Sequence, residues 1–92
     1  MRLKRVYAVV QGQVQGVGFR WTVQMNATAL HLTGWVRNMS NGMVEMEAQG
    51  EEKDLDAFLI QIRKKDRFIR VDDLSCKTIP LRKDEKEFRV TF

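Results

Sequence analysis

The sequence predicts an α+β fold: one antiparallel sheet with two helices on one face. Three observations predict it. Two runs with helical apolar spacing alternate with runs of β character. Asn41-Gly42, a strong turn signal, sits between two short extended runs. The elements read in the order β-α-β-β-α-β, with a short extra strand towards the C-terminal end.

The elements justify themselves in turn. Arg5–Gln13 suits a pleated strand through Tyr7, Val9 and Val10. Gln11 to Gly18 is a glycine-spaced loop. Thr22–Leu32 reads as a helix, with Val23, Ala27 and Leu30 on one stripe. Thr33–Asn38 and Met43–Gln49 read as strands joined at Asn41-Gly42, both residues tolerating positive φ. Glu51–Lys65 is the clearest helix: Leu55, Phe58, Leu59 and Ile62 form its apolar stripe, acids lead it, and Arg63-Lys64-Lys65 fill its last turn. Val71–Ile79 is a strand and Pro80 to Lys86 a polar connection. Phe88–Phe92 closes the sheet, with Phe88, Val90 and Phe92 on one face. This order is the ferredoxin-like split βαβ arrangement, which hosts many functions.

With 92 residues, 43% hydrophobic and 30% charged, the chain suits one globular domain, 1–92. No apolar run approaches the roughly 18–20 residues of a membrane-spanning helix. The basic start, Met1 to Arg5, is not followed by the apolar stretch of a signal peptide. Cys76 is the only cysteine, which excludes an internal disulfide and a thiolate zinc cluster. His31 is the only histidine, which excludes His-based catalytic triads and HExxH metal sites. The expected compartment is the cytoplasm.

Charge is uneven along the chain. Sixteen Lys and Arg against twelve Asp and Glu give +4, yet every acid lies at Glu45 or later. The first 44 residues hold Arg2, Lys4, Arg5, Arg20 and Arg37 without a carboxylate. That half is expected to attract anions.

Gly12-Gln13-Val14-Gln15-Gly16-Val17-Gly18-Phe19-Arg20 falls between the first strand and the first helix. Closely spaced glycines let backbone N–H groups converge before a helix N-terminus, where anions bind. Arg20 is placed to close such a site with a bidentate guanidinium. Glycine spacing alone favours a tight turn with a surface arginine, and the short chain and its strand order exclude a dinucleotide-binding Rossmann unit. Asn38 ends Gly34-Trp35-Val36-Arg37-Asn38 at the hairpin. It can orient a water, or bond its own backbone as turn asparagines do. Phe19, Trp21 and Trp35 suit either an acyl pocket or the core. Cys76 reads as a half-buried strand residue and His31 as a helix-end surface residue.

Together these segments resemble the acylphosphatase family. The first signature runs from Val10 to Arg20; the second is Gly34 to Asn38, followed by Gly42, Val44 and Gly50 at the family spacing. All six glycines fall inside the two. The resemblance implies a small cytoplasmic hydrolase that cleaves carboxyl phosphates without a metal or other cofactor. It implies that Arg20 anchors the phosphate, that Asn38 positions the attacking water, and that N–H groups of Gln15, Gly16, Val17, Gly18, Phe19 and Arg20 cradle phosphate oxygens. It further implies a monomer whose partner is a small acyl phosphate, with no nucleic acid and no membrane. Two departures stand out: His31 replaces a glycine common after the first helix, and Lys65-Asp66-Arg67-Phe68 stands where a Gly-Pro pair is frequent.

The chemistry suits these residues. An acyl phosphate is a mixed anhydride whose carboxylate leaves without protonation, so no strong general acid is required. Phosphoryl transfer then asks mainly for positioning and for stabilisation of equatorial oxygens. With no acid in either signature, the substrate phosphate is expected to take the water's proton. The alternatives are a non-catalytic anion-binding module, an RNA-binding module, and a carbamoyl-phosphate-handling domain of a larger enzyme. RNA binding is disfavoured because the third strand, Met43 to Glu47, has two acids and no aromatic. The end of the chain at Phe92 favours a free-standing hydrolase over the last alternative.

Overall fold

The structure is a computed structural model that describes residues 2–92; Met1, which opens the basic N-terminal run, lies outside them. The elements are β1 (Leu3–Gln13), α1 (Phe19–Ala29), β2 (Thr33–Asn38), β3 (Val44–Glu51), α2 (Glu52–Ile62), β4 (Arg70–Ile79) and β5 (Phe88–Val90). They form one sheet in the order β4-β1-β3-β2-β5. The four long strands pair antiparallel, but β5 pairs parallel with β2, so the sheet is mixed. Local patterning identifies a strand; it does not identify its neighbour, and here β5 takes the edge opposite β4, beside β2.

The pleat divides each strand between two environments. Val6, Ala8 and Val10 of β1, Val36 of β2, and Val44, Met46 and Ala48 of β3 are buried. They pack with Phe19, Val23 and Ala27 of α1 and Leu55, Phe58 and Ile62 of α2. The first helix packs on β2 and β5, the second on β3 and β1. Edge strand β4 gains little cover, so Cys76 is exposed, not half-buried. No helix among the described residues is long and apolar enough to cross a membrane.

Both helices are shifted or trimmed relative to expectation. The first starts at Phe19, three residues early, because Gly18 at φ 81° turns the chain directly into it. It ends at Ala29 in a Schellman motif: Leu32 N donates to Ala27 O at 2.9 Å and His31 N to Thr28 O at 3.1 Å. The left-handed residue of that motif is His31, at φ 59°. The second helix stops at Ile62, so Arg63-Lys64-Lys65 lie at and beyond its cap. The Asp66 side chain then closes the turn by accepting from Phe68 N at 2.9 Å. The hairpin also departs from a two-residue turn: only Gly42 has positive φ, and Met39 N bonds Met43 O at 2.8 Å.

The β4–β5 connection crosses the sheet face opposite the helices, over a row formed by Arg5, Gln49 and Thr33. Arg5 is 1% exposed. Its Nε donates to Glu47 at 2.8 Å and its Nη1 to Gln49 at 3.1 Å and Glu85 at 2.7 Å. Gln49 also exchanges hydrogen bonds with the Arg82 backbone. The connection is therefore fixed at the end of the sheet remote from the glycine loop.

Candidate active site

At the opposite end, β1 runs out into the glycine loop and β2 ends at Asn38. Gly16 and Gly18 take φ 73° and 81°, with open space where a side chain would stand. Their conformation, not their lack of bulk, is what the loop requires. Gly12, Gly34 and Gly50 serve packing: a Cβ on Gly34, for example, would run into the Glu47 carbonyl. The loop delivers the chain to the N-terminus of α1, where no side chain caps the helix and no acid stands in the first turn. Its first N–H groups therefore remain without intrahelical partners, at the positive end of the helix dipole.

A cavity of about 280 Å³ opens here, lined by Gly16, Gly18, Phe19, Arg20, Trp21 and Val90, among others. It brings together four of the residues expected to hold phosphate. The side chain of Phe19 points into the core, so only its backbone is available. Val17 packs against the core as well. Trp21 is 62% exposed at the rim. Trp35 lies elsewhere, beside the 82–89 segment.

Arg20 stands on the first turn of α1. Its Nη1 donates to the Thr91 carbonyl at 3.1 Å, and the Phe92 ring lies 4.8 Å from its Cζ. Among the described residues no carboxylate pairs with it. The other arginines of the acid-free half do find partners: Arg2 with Glu52, Arg5 with Glu47 and Glu85, Arg37 with Glu45. The expectation of five uncompensated cations is thus corrected. Acids distant in sequence neutralise three of the five, and Arg20 retains its charge at the cavity.

Gln15 turns its side chain away from the cavity. Its Nε2 donates to Met39 O at 2.8 Å and to Met43 O at 2.7 Å, tying the loop to the hairpin next to Asn38. Asn38 shares a strand face with buried Val36, on the helix side of the sheet. Its Oδ1 is buried and has no hydrogen-bond partner among the described residues. The turn asparagine that bonds its own backbone is Asn41, whose Oδ1 accepts from Met43 N at 3.0 Å.

Glu45 is the acid closest in register, opposite Arg37, one residue before Asn38. The pleat sends it to the other face, where it accepts from the Tyr7 hydroxyl at 2.6 Å and Arg37 Nε at 2.7 Å. The Tyr7 hydrogen bond, then Arg37, hold its carboxyl below the usual range against the opposing effect of burial. It is an engaged anion facing away from the cavity. No group of three or more metal-ligating side chains occurs among the described residues.

Sequence reasoning missed two features of the site. The segment after β5 reaches Arg20: the strand expected over Phe88–Phe92 ends at Val90, and Phe92 is 98% exposed. The side chain of Gln15 binds protein, where the loop pattern points only to its N–H. Neither has a local signal, since both contacts join residues far apart in sequence.

A family model described as "Acylphosphatase" matches residues 6–90. An acylphosphatase of Clostridium acetobutylicum is 44% identical over 90 residues, covering 98% of this chain and 99% of the relative. One of Geobacillus thermodenitrificans is 46% identical over 90 residues, covering 98% and 96%. The crystal structure of acylphosphatase from Bacillus subtilis superposes with a TM-score of 0.91 at 35% identity, covering 99% of this chain and all 100% of that one.

Proposed function

The chain belongs to the acylphosphatase family, and we propose that it hydrolyses the carboxyl–phosphate bond of a small acyl phosphate, with Arg20 and Asn38 as its catalytic residues. The observation that carries this assignment is the electrostatic isolation of Arg20. It is an arginine without a carboxylate partner, beside an uncapped helix N-terminus and a loop of left-handed glycines.

In this reading the Arg20 guanidinium and the N–H groups from Gln15 to Arg20 hold the phosphate oxygens. A water donates one hydrogen bond to Asn38 Oδ1, which supplies the partner that this buried acceptor requires. The water oxygen attacks phosphorus, the bond from phosphorus to the carboxyl oxygen breaks, and the carboxylate leaves with the bonding pair. The water's proton passes to a phosphate oxygen. No side chain need serve as acid or base, which agrees with the position of Glu45 on the far face. The reaction calls for no metal or cofactor, because the leaving group is already a stable anion and the positive charge comes from Arg20 and α1. The protein acts in the cytoplasm as a monomer, on a small molecule, with neither nucleic acid nor membrane as partner.

The test is release of phosphate from a simple aryl acyl phosphate in excess chelator. Arg20→Ala should lower the rate by at least about 10²–10³-fold. Arg20→Lys should recover little, because a point charge cannot reproduce the bidentate fork. Asn38→Ala should lose turnover yet still bind inorganic phosphate as an inhibitor. Near-normal turnover in folded Asn38→Ala would remove the water-positioning role. Loss of all turnover on replacing one Asp or Glu, with a matching change in pH profile, would replace the substrate-assisted step by a protein base.

A further inference from the structure

We propose that Phe92 is a positioning residue for Arg20, setting the orientation in which the guanidinium meets an anion. The proposal rests on the reading of Arg20 as the phosphate anchor. Two contacts fix the group from outside its own helix. The Phe92 ring lies 4.8 Å from Cζ, and the Thr91 carbonyl accepts from Nη1 at 3.1 Å. A guanidinium has five N–H donors in one plane. The ring contact spends no hydrogen bond to an oxygen, and the carbonyl consumes one donor. The remaining donors stay free for phosphate, while rotation of the plane is restrained.

The restraint is anchored to the strand that carries Asn38. Thr91 N donates to Val36 O at 2.8 Å, and Thr91 Oγ1 approaches the same oxygen at 3.4 Å. Val36 also pairs with Val90 in the parallel β2–β5 ladder. Arg20, although on α1, is thus referenced to β2 two residues before Asn38. The anchor for phosphate and the residue for water are held in a common frame.

Packing does not account for the ring. Phe92 is 98% exposed, so it contributes almost nothing to the core. An exposed aromatic kept against a cation acts through that cation. Its removal is therefore separable from unfolding.

The experiment compares Phe92→Ala, Phe92→Leu, Phe92→Tyr and Phe92→Trp, reading kcat, KM, inhibition by inorganic phosphate and melting temperature. Phe92→Ala and Phe92→Leu should raise KM and the phosphate inhibition constant together, by about two- to fivefold, the range of an exposed cation–π contact. Phe92→Tyr and Phe92→Trp should restore both, and the melting temperature should stay near wild type in all four. In an Arg20→Gln background, Phe92→Leu should have no further effect. Wild-type inhibition in Phe92→Leu, or the same loss in Phe92→Tyr as in Phe92→Ala, overturns the positioning role. Unchanged phosphate inhibition in Arg20→Gln overturns the underlying reading of Arg20 instead, so the two failures are distinguishable.

Discussion

Gln15→Leu removes the tie between the glycine loop and the hairpin while leaving the backbone N–H of the loop in place. The side chain donates two hydrogen bonds, to Met39 O and Met43 O. Neither carbonyl would be orphaned: Met39 O still accepts from Gly42 N at 3.3 Å and Met43 O from Met39 N at 2.8 Å. The loss is then the net value of two neutral hydrogen bonds, about 1–2 kcal/mol together, without the larger penalty of a buried unsatisfied group. The effect on rate should be larger than the effect on stability. The bonded carbonyl of Met39 adjoins Asn38, so the loop proposed to hold phosphate and the residue proposed to hold water lose their mutual reference. A displacement of about 1 Å between reacting groups can cost about 10²-fold. Urea denaturation should show the small loss in stability, and turnover of an aryl acyl phosphate should fall at least about tenfold in kcat. A variant that loses stability as calculated but keeps wild-type kcat would refute the argument and leave Gln15 a purely structural tie.

Three further outcomes follow from the same geometry. Arg5→Met leaves Glu47 without a cation and Glu85 with only the exposed Arg82 at 3.7 Å; the cost should be about 3 kcal/mol, the low end for a broken buried pair, or roughly 12–24 °C in melting temperature. Burial opposes the Glu85 carboxylate, but hydrogen bonds from Arg5 and Thr33 outweigh it and lower its pKa, as Tyr7 and Arg37 do for Glu45. Stability from these groups is fully present above the unfolded-chain value of 4.5 and is lost as pH falls through the folded values; Glu85→Gln should flatten the acid limb of a stability–pH curve. His31→Gly should raise stability by about 1 kcal/mol in thermal melts, because a left-handed position is filled by a residue with a Cβ and the Schellman bonds stay available.

The features legible in the sequence were those with local causes. The apolar stripes of both helices, the pleat of β1 and β3 and the glycine loop all recur in the structure, because spacing within a few residues determines them. The first helix was read three residues late because Phe19 and Arg20 looked like loop; a left-handed Gly18 makes them the first turn. Such a turn can be recognised in a Gly-x-Gly run only when the conformation of the second glycine is known. Non-local pairing was not legible. Arg5 read as one basic residue among several, yet it is buried by Glu85, eighty residues away. The direction of β5, and the arrival of Thr91 and Phe92 at Arg20, likewise depend on a connection that crosses the whole sheet.

That pairing also explains how a carboxylate-poor half can present one localised positive site instead of a diffuse basic surface. Unpaired, five cations would spread positive potential over much of the molecule and favour any polyanion. Glu45, Glu47, Glu52 and Glu85 neutralise Arg37, Arg5 and Arg2, and the register places Glu45 and Glu47 on the face away from Asn38. The charge left at the cavity is that of Arg20, reinforced by the start of α1. A compact phosphate group can satisfy both at once. An extended polyanion gains little from Arg2, Arg5 and Arg37, which are already engaged. On the proposed reading, the acids that follow residue 44 act from outside the site: they pair with Arg2, Arg5 and Arg37, and none of them lines the cavity beside Arg20.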